Sequence, residues 1–297
     1  MTLPDTAFFL LGPTAIGKSE LAVQLAERIG GEIVGADAFQ IYEGLDILSA
    51  KPSAALRARV PHHLIGEVPL SRSFDVAAYR TAALERIADI AGRGAIPIIC
   101  GGAGLYARAL THGLSDDMPV ADAALRASLE NEPLPVLVER LRALDPAGTV
   151  DVQNRRRVVR ALEVCIATGQ PFSSFRKEWD TEPAVRGVIL SRPRAELIAR
   201  IEQRTEAMFA SGVLAEVAEA KVVGFTAEQM LGLREIRSHI AGDLSLTSCK
   251  TAINIGTRQY AKRQATWFRR ERQYTWMDLT AEPEPLRRLV LMATIIS

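Results

Sequence analysis

One motif near the N-terminus constrains the fold of this chain more than any other feature. Gly12-Pro13-Thr14-Ala15-Ile16-Gly17-Lys18-Ser19 matches the pattern GxxxxGK[ST] in full. The apolar run 7–11 before it predicts a buried strand, and the fourfold spacing of Leu21, Leu25 and Ile29 predicts a helix over 18–29. A strand, a glycine-rich turn and a helix in this order are the context that a phosphate-binding loop (P-loop) requires.

The residue types of the P-loop indicate its ligand. Its backbone N–H groups and the helix N-terminus form a concave set of donors for phosphate oxygens, and glycines let the backbone close around the anion. Lys18 supplies a mobile positive charge, and the hydroxyl of Ser19 is placed to bind a Mg²⁺ cofactor shared with a diphosphate. The motif does not say which bond breaks, because the fold hosts kinases, ATPases, GTPases and other transferases.

The rest of the chain predicts an α/β fold with a P-loop NTPase-like parallel sheet, flanked by helices and interrupted by a helical insertion. Further strands are predicted at 32–36, 95–100 and 187–190, and further helices at 75–91, 105–110, 194–221, 226–241 and 245–270. Between 118 and 179, five prolines separate helical stretches and no buried strand is predicted. The expected domains are a P-loop α/β core with C-terminal helices, formed by 1–114 and 184–297, and an all-helical insertion at 115–183.

Composition and charge exclude several classes of protein. Apolar residues make up 48% of the chain and charged residues 24%, which is typical of globular proteins and not of disordered chains. The net charge of +1 does not by itself suggest a nucleic-acid partner. Cys100, Cys165 and Cys249 stand far apart, so we predict neither a disulfide nor a zinc site and expect three buried thiols.

No segment suggests a membrane or export signal. The longest late apolar run, 289–296, is far shorter than the roughly 20 residues that cross a bilayer. No basic residue precedes the apolar run 7–11, so it is not typical of a signal peptide. We therefore expect a cytoplasmic protein without membrane contact, and a monomer.

A carboxylate follows the second predicted strand. Asp37 comes directly after the strand 32–36, and ligands of parallel sheets lie outside the carboxyl ends of strands. If the first two strands lie close in the sheet, Asp37 faces the bound phosphates. Its candidate roles are a general base or an outer-sphere partner of Mg²⁺, and the alternative is an aspartate that only forms a turn.

The residues from Asp37 onward carry a specific resemblance. Segment 37–52, DAFQIYEGLDILSAKP, resembles the signature DSxQxYxGxDIGTAKP of tRNA dimethylallyltransferases. Further similarities follow in the family's order over about residues 10–276: PHHL at 61–64, GGAGLY at 101–106 against GGTGLY, RALEV at 160–164 followed by Thr168-Gly169, LGLRE at 231–235 against GYRE, and RQYAKRQATWFR at 258–269.

The resemblance implies a reaction and a set of contacts. Enzymes of this family transfer a dimethylallyl group from dimethylallyl diphosphate to N6 of the adenosine 3′-adjacent to the anticodon of tRNA, releasing diphosphate. By resemblance, Asp37 accepts the N6 proton and Lys18 stabilises the leaving group. The resemblance also implies contacts with the tRNA anticodon stem-loop at Asp37, Ala38, Phe39, Gln40, Ala103, Arg126, Arg156, Arg157, Arg160, Gln229, Gly232 and Arg234.

Two positions depart from the family pattern beside the expected base. Ala103 replaces the threonine of GGTGLY, which by resemblance lies next to the base and the target nucleotide, and Ala38 replaces the serine after the base. The hydrogen bond of that threonine is therefore not expected here. We expect either that a water or another hydroxyl takes its place, or that transfer is slower.

Basic residues cluster in two segments despite the neutral total. Residues 154–160 read NRRRVVR, and 250–273 hold seven basic residues against the single acid Glu271, a local charge of +6. Such clusters neutralise RNA phosphates, whereas a basic run alone is more often a solvated helix face. Trp267, Phe268 and Trp276 are expected to pack against other side chains rather than to stack on bases.

Other functions remain open at this level. A small-molecule P-loop kinase also tends to place an aspartate opposite the loop, but it leaves the basic C-terminal segment and the insertion unexplained. A prenyltransferase that acts on free adenine nucleotides shares the phosphate site and needs no basic surface. A non-catalytic RNA-binding module would not depend on Lys18.

Overall fold

A computed structural model describes residues 3–114, 119, 122–175 and 184–294 of the chain. Its described part contains one six-stranded sheet in the order β3-β2-β4-β1-β5-β6, in which every neighbouring pair is parallel. The strands are β1 (Phe8–Leu11), β2 (Gly31–Ala36), β3 (His62–His63), β4 (Ile96–Gly101), β5 (Arg186–Ser191) and β6 (Thr275–Asp278). The predicted parallel α/β fold is thereby confirmed.

Helices flank the sheet and form the insertion. They are α1 (Lys18–Ile29), α2 (Ala54–Arg57), α3 (Val76–Gly92), α4 (Gly104–His112), α5 (Ala123–Glu130), α6 (Leu134–Leu144), α7 (Arg155–Thr168), α8 (Arg194–Ala210), α9 (Val213–Glu219), α10 (Leu233–Ile240), α11 (Leu246–Phe268) and α12 (Pro285–Thr294). None of these helices combines the length and the apolarity that crossing a bilayer requires.

The chain divides into two compact units, of which the larger contains Met1–His112 and Glu182–Ser297. Its core covers both faces of the sheet, because side chains alternate along each strand. On one face Phe9 and Leu11 of β1 join a cluster with residues of α3 and α4, and on the other Phe8 and Leu10 join a cluster with residues of α1 and α12. This packing holds β1, which carries the P-loop at its end, in the middle of the sheet.

The smaller unit is Gly113–Thr181. Within its described residues, α5, α6 and α7 surround a separate apolar core that includes Leu129, Leu137, Leu141, Val158 and Leu162. Asn154 caps the N-terminus of α7, and Gly169 ends that helix in the left-handed conformation.

Several elements differ from the sequence-based expectation. The predicted helix 194–221 breaks at Gly212, whose φ of 93° is left-handed, and becomes α8 and α9. The predicted helix 226–241 is a short 3₁₀ turn (Ala227–Gln229) followed by α10, with Gly232 at φ 90° between them. Strand β6 and helix α12 were not predicted. In β6 only Met277 is buried, so the strand lacks the apolar run that would reveal it.

One packing expectation was also wrong. Cys165 and Cys249 are buried free thiols, but Cys100 is only partly buried. Trp276 is exposed on β6.

Candidate active site

Three strand ends stand side by side and position the site. In the register of the sheet, Leu11 of β1 pairs with Gly101 of β4, and Gly101 pairs with Ala36 of β2. The last residues of β1, β4 and β2 are therefore aligned across the sheet. The P-loop follows the first of them, a turn the second and Asp37 the third. Strands β1 and β2 are not neighbours, since β4 lies between them, which separates the P-loop from Asp37 by about 10 Å of sheet.

The glycines of the turn after β4 allow a very close approach of other groups. A Cβ on Gly101 would overlap the carbonyl of Ala36, and one on Gly104 would overlap the indole of Trp267. The N–H of Ala103 donates to the carbonyl of Ala36 (3.1 Å), and the N–H of Gly12 donates to that of Gly101 (3.3 Å). The turn is thus bound to the start of the P-loop on one side and to the end of β2 on the other.

The P-loop has the backbone conformation of an anion-binding turn. Gly12 and Gly17 have φ of 153° and 103°, values that favour glycine, and a Cβ on Gly12 would lie 2.9 Å from the carbonyl oxygen of Leu190. The ammonium of Lys18 donates to the carbonyls of Gly12 (2.9 Å) and Pro13 (2.7 Å). Burial lowers the pKa of Lys18, and the carboxylate of Asp37 opposes that shift, so the two predicted catalytic residues interact electrostatically.

Three arginines around α8 lie against the P-loop, and the sequence patterns did not predict them. Arg192 donates to the carbonyl of Ile16 (2.9 Å), Arg200 to that of Ala15 (2.8 Å) and Arg204 to the hydroxyl of Thr14 (2.8 Å). Arg200 and Arg204 are four residues apart on α8 and therefore share one helix face. That spacing was the available signal, but only the fold shows that the face meets the loop. The arginines add positive charge where a diphosphate would bind.

Asp37 stabilises the turn after β2, and its side chain also lines a cavity. Its Oδ1 accepts hydrogen bonds from the backbone N–H groups of Phe39 (2.9 Å) and Gln40 (3.3 Å). Within the described part of the chain, Oδ2 has no hydrogen-bond partner, so it is available to accept a proton. Burial lowers the pKa of Arg204, and the negative charge of Asp37 counteracts this, which places the carboxylate near the arginine at the P-loop.

A cavity joins the P-loop to Asp37, and its wall changes from polar to apolar. Its lining residues are Thr14, Asp37, Phe39, Leu48, Ser49, Arg204, Thr205, Met208, Met230, Leu231, Ile253, Thr257 and Tyr260. Thr14, Arg204 and Asp37 form a charged and polar end. Leu48, Met208, Met230 and Ile253 are buried members of one hydrophobic cluster. A ligand with an anionic head and a short apolar tail matches this distribution.

Gln264 of α11 is a second residue that the sequence patterns did not identify individually. Its Oε1 accepts from the backbone N–H of Thr14 (2.9 Å), and its Nε2 donates to the carbonyl of Gly102 (2.8 Å). The side chain is buried, and a Cβ on Gly102 would overlap it. Gln264 thus connects the P-loop directly to the turn after β4.

Tyr260 brings a hydroxyl into the same cavity. Burial is the main reason that its pKa is raised, and the charge of Asp37 raises it further, against a hydrogen bond with Gln264. The phenol therefore stays protonated at neutral pH and can donate a hydrogen bond. Tyr260 and Asp37 line the same cavity, so the phenol supplies a hydroxyl to the site.

The predicted tRNA contacts of the larger unit are of different kinds. Phe39 lines the cavity, and Ala38 packs against the adjacent hydrophobic cluster. The amide of Gln40 donates to the carbonyls of Ser49 (3.2 Å) and Ala50 (2.9 Å), so it folds the loop after β2. Gln229 and Arg234 are exposed, one on each side of Gly232, the N-cap residue of α10.

In the smaller unit the predicted arginines gather around one acid. Arg126 (2.7 Å) and Arg160 (3.0 Å) both donate to Oε2 of Glu163, whose side chain is 1% exposed. Oε1 of Glu163 accepts the N–H of Asp122 (2.7 Å). A cavity in this unit is lined by three of the arginines, Arg156, Arg157 and Arg160, and by Asp145, Gly148, Thr149, Val150, Asp151, Phe172 and Ser173.

The basic C-terminal segment is less positive than its sequence suggests. Lys250 pairs with Glu206 (2.5 Å) and Arg258 lies 3.7 Å from Glu202, so acids of α8 partly neutralise α11. Five basic residues at the end of the segment remain exposed: Lys262, Arg263, Arg269, Arg270 and Arg272.

Known proteins are similar to this one over most of the chain. A family model described as IPP transferase matches residues 40–271, and one described as isopentenyl transferase matches residues 6–61. The chain belongs to the IPP transferase family. This family member is 44% identical to the tRNA dimethylallyltransferase of Akkermansia muciniphila over 278 residues, which cover 93% of each chain. It is also 44% identical to tRNA dimethylallyltransferase 1 of Citrifermentans bemidjiense, over 90% of each chain.

Solved structures give the same family and fold. The full-length tRNA isopentenylpyrophosphate transferase of Bacillus halodurans is 31% identical to this IPP transferase, with a TM-score of 0.72 and coverage of 98% of this chain and 95% of that one. A eukaryotic dimethylallyltransferase acting on tRNA has a TM-score of 0.77 at 24% identity, covering 95% of this chain and 76% of the other, and it supports the fold alone. The resemblance inferred from the motifs is confirmed.

Proposed function

We propose that this IPP transferase moves a dimethylallyl group from dimethylallyl diphosphate to N6 of the adenosine 3′-adjacent to the anticodon in tRNA. One observation carries the proposal: the cavity that joins the P-loop and its arginines to Asp37 has a polar end and an apolar wall. A diphosphate head, a five-carbon tail and an incoming amine each have a matching group in this cavity.

The transfer step follows from the positions of these groups. The bond between the allylic carbon and oxygen breaks, and diphosphate leaves with the electron pair. The P-loop amides, Lys18 and Arg204 stabilise the negative charge that grows on the leaving group. The N6 atom forms the new bond to the allylic carbon, and its proton passes to the free Oδ2 of Asp37.

Asp37 is needed because adenine N6 is a weak nucleophile whose lone pair is delocalised into the ring. A base that accepts the proton during attack accelerates such a step by about 10²–10⁴-fold. The hydrogen bonds from the N–H groups of Phe39 and Gln40 hold the carboxylate in place while its other oxygen reacts. Adenine must leave the anticodon-loop stack to reach it, which costs least in a single-stranded loop.

A Mg²⁺ ion fits the donor chemistry of the P-loop. Within the described residues, no group of three or more His, Cys, Asp or Glu side chains could hold a metal. The hydroxyl of Ser19 and diphosphate oxygens would hold the ion, the mode in which Mg²⁺ commonly binds with phosphates. When bound, it would neutralise charge on the leaving diphosphate.

The tRNA would meet exposed basic residues. The exposed end of the C-terminal basic segment, together with Arg156 and Arg157, supplies positive charge for the phosphate backbone. Arg126 and Arg160, about one-third exposed and paired with Glu163, would contribute less. We also propose that the enzyme acts as a monomer.

A transfer assay tests the function. Unmodified tRNA is incubated with the protein, dimethylallyl diphosphate and Mg²⁺, and the digested nucleosides are identified by mass. We expect an adenosine enlarged by one dimethylallyl group, located next to the anticodon. A parallel reaction with ATP and a small alcohol should give no phosphorylated product, and AMP should not compete with tRNA.

Other outcomes identify the rival functions. Phosphorylation of the alcohol would indicate a P-loop kinase, and efficient prenylation of AMP would indicate an enzyme for free nucleotides. Tight tRNA binding without any transfer, unchanged by Lys18→Ala, would indicate an RNA-binding module. Each of these results would contradict the proposal.

A further inference from the structure

The cavity of the active site extends along two antiparallel helices. Thr205 of α8 donates to the side chain of Asn254 of α11 (2.6 Å), and Glu206 pairs with Lys250 (2.5 Å). The P-loop end of this helix pair is marked by Arg204 on α8 and Gln264 on α11. Each residue advances a helix by about 1.5 Å. A wall residue after Arg204 on α8, or before Gln264 on α11, therefore lies farther from the P-loop.

The deep end is apolar and closely packed. Met208 lies one helical turn beyond Arg204, and Ile253 lies three turns before Gln264 on α11, so both are on the side away from the P-loop. Met230 joins them from the end of the 3₁₀ turn Ala227–Gln229. Each of the three side chains is less than a tenth exposed. They form an apolar wall opposite the polar end, where a hydrocarbon tail would stop.

Leu48 completes this wall from the loop after β2. It is 6% exposed, lines the cavity and belongs to the same cluster as Met208, Met230 and Ile253. A Cβ on Gly232 would lie 3.1 Å from Cδ1 of Leu48 and 3.4 Å from Cδ1 of Ile253, so both side chains converge on one point.

The loop that carries Leu48 is fixed on both sides. The carboxylate of Glu216 accepts the backbone N–H groups of Ile47 (2.7 Å) and Leu48 (2.9 Å). The amide of Gln40 holds the carbonyls of the next two residues. The backbone at Leu48 is therefore held in place by side chains on both sides of it.

We propose that Leu48 is a specificity-determining residue that restricts the prenyl donor to a single five-carbon unit. The inference rests on the proposed function and names the length of the donor that the site accepts. A second isoprene unit would overlap the side chain of Leu48, because the interior around it is close-packed. Truncation of Leu48 leaves a cavity that additional methylene groups can fill.

The test compares two allylic diphosphates, dimethylallyl (five carbons) and geranyl (ten carbons), with the same tRNA. The measured quantity is the ratio of kcat/KM for the two donors in wild type, Leu48→Ala and Leu45→Ala. Leu45 is a buried leucine of the same loop and cluster that does not line the cavity, which makes it a matched control. We expect Leu48→Ala to shift the ratio toward geranyl diphosphate by about tenfold or more, and Leu45→Ala to leave it unchanged.

Binding without tRNA provides an independent readout. Kd values for the two donors and for inorganic pyrophosphate are measured for each variant, together with thermal melts. Leu48→Ala should improve the Kd for geranyl diphosphate and leave that for pyrophosphate unchanged. Leu48→Val, a smaller truncation, should shift the ratio in the same direction by less and serves if the alanine variant does not fold.

Distinct results contradict the two proposals. An equal shift in Leu45→Ala, an unchanged donor ratio in Leu48→Ala, or equal binding of both donors by the wild type would overturn the role of Leu48. Discrimination between the donors in binding without transfer of either one to tRNA would support Leu48 as the length determinant and contradict the proposed function.

Discussion

Ala103 stands where the signature GGTGLY has threonine, so this site lacks one hydroxyl on the side where the adenine would bind. Ala103 precedes α4, and its carbonyl accepts the N–H of Ala107 (3.1 Å), as a helix N-cap does. Threonine is a better N-cap than alanine because its hydroxyl satisfies a backbone N–H, so Ala103→Thr should raise the free energy of unfolding by about 0.5–2 kcal/mol. We also expect an equal or higher single-turnover rate of transfer. A large decrease in that rate would show that the acceptor side is built differently and depends on the small residue.

Glu163 permits a second test, in the helical insertion. Burial by itself raises the pKa of Glu163, but the hydrogen bonds and charges of Arg126 and Arg160 outweigh it, and the net pKa is below its usual value. Because the folded state holds the ionised form more strongly, this stabilisation is present above the pKa of an unfolded glutamate, about 4.3, and is lost as pH falls through the lower folded value.

Glu163→Gln should therefore destabilise the protein at neutral pH and abolish this acid-dependent loss. Breaking a buried ion pair costs about 3–5 kcal/mol, but the arginines are about one-third exposed, so we expect roughly 1–2 kcal/mol. The measurement is urea unfolding at neutral and acidic pH, with Glu139→Gln on exposed α6 surface as the control. Equal stability of wild type and Glu163→Gln at neutral pH would contradict this role.

The sequence predicted those site residues that lie in a contiguous motif or directly after a recognisable strand. It did not predict those that reach the site from distant parts of the chain. The P-loop is one contiguous segment, and Asp37 follows a recognisable strand, so both were found in the sequence. Arg204 and Gln264 contact Thr14 from 190 and 250 residues away. A sequence pattern contains no information on which helix faces such a loop, and only the packing of α8 and α11 provides it.

Among the helices, α11 has the most direct connection to the site. Gln264 holds the N–H of Thr14 and the carbonyl of Gly102, and its replacement by methionine keeps the length of the side chain but removes both hydrogen bonds. A displacement of about 1 Å between reacting groups can cost about 10²-fold in rate. We expect Gln264→Met to lower kcat by about 10–100-fold and to change the Kd for tRNA little.

A matched variant separates this effect from general damage to the helix. Gln259 is exposed on the same helix, so Gln259→Met should retain the wild-type kcat. Gln264→Glu keeps an acceptor for Thr14 but cannot donate to the carbonyl of Gly102, and it should not restore the rate. Wild-type kcat in Gln264→Met would exclude a positioning role for this residue.

Elements with a strong periodic pattern were predicted most accurately. The bounds of α1, Lys18–Ile29, agree with the prediction, since the P-loop fixes its start and Gly30, in the left-handed conformation, fixes its end. The stretch 194–221 also looked helical throughout, but Gly212 divides it. The strand β6 is held by its pairing with β5 rather than by its own apolar residues, so its sequence gives little sign of it.

The order of the sheet explains why distant motifs converge. Because β4 lies between β1 and β2, the three motif-bearing turns of the sequence, at 12–19, 37–40 and 101–104, all follow neighbouring strand ends. The strands and their sequence order were largely predictable, whereas the order in the sheet and the arginine-bearing face of α8 were not. Chemistry at this edge therefore combines a local phosphate motif with contacts that only the tertiary structure creates.

The most direct test of the whole account is single-turnover transfer by Asp37→Asn. The neutral amide is nearly the same size as the carboxylate but cannot accept the N6 proton. We expect the transfer of dimethylallyl to tRNA to fall by about 10²–10⁴-fold, while the Kd values for pyrophosphate and tRNA stay near those of the wild type. Transfer at close to the wild-type rate would contradict the account, because it would remove Asp37 as the base opposite the diphosphate.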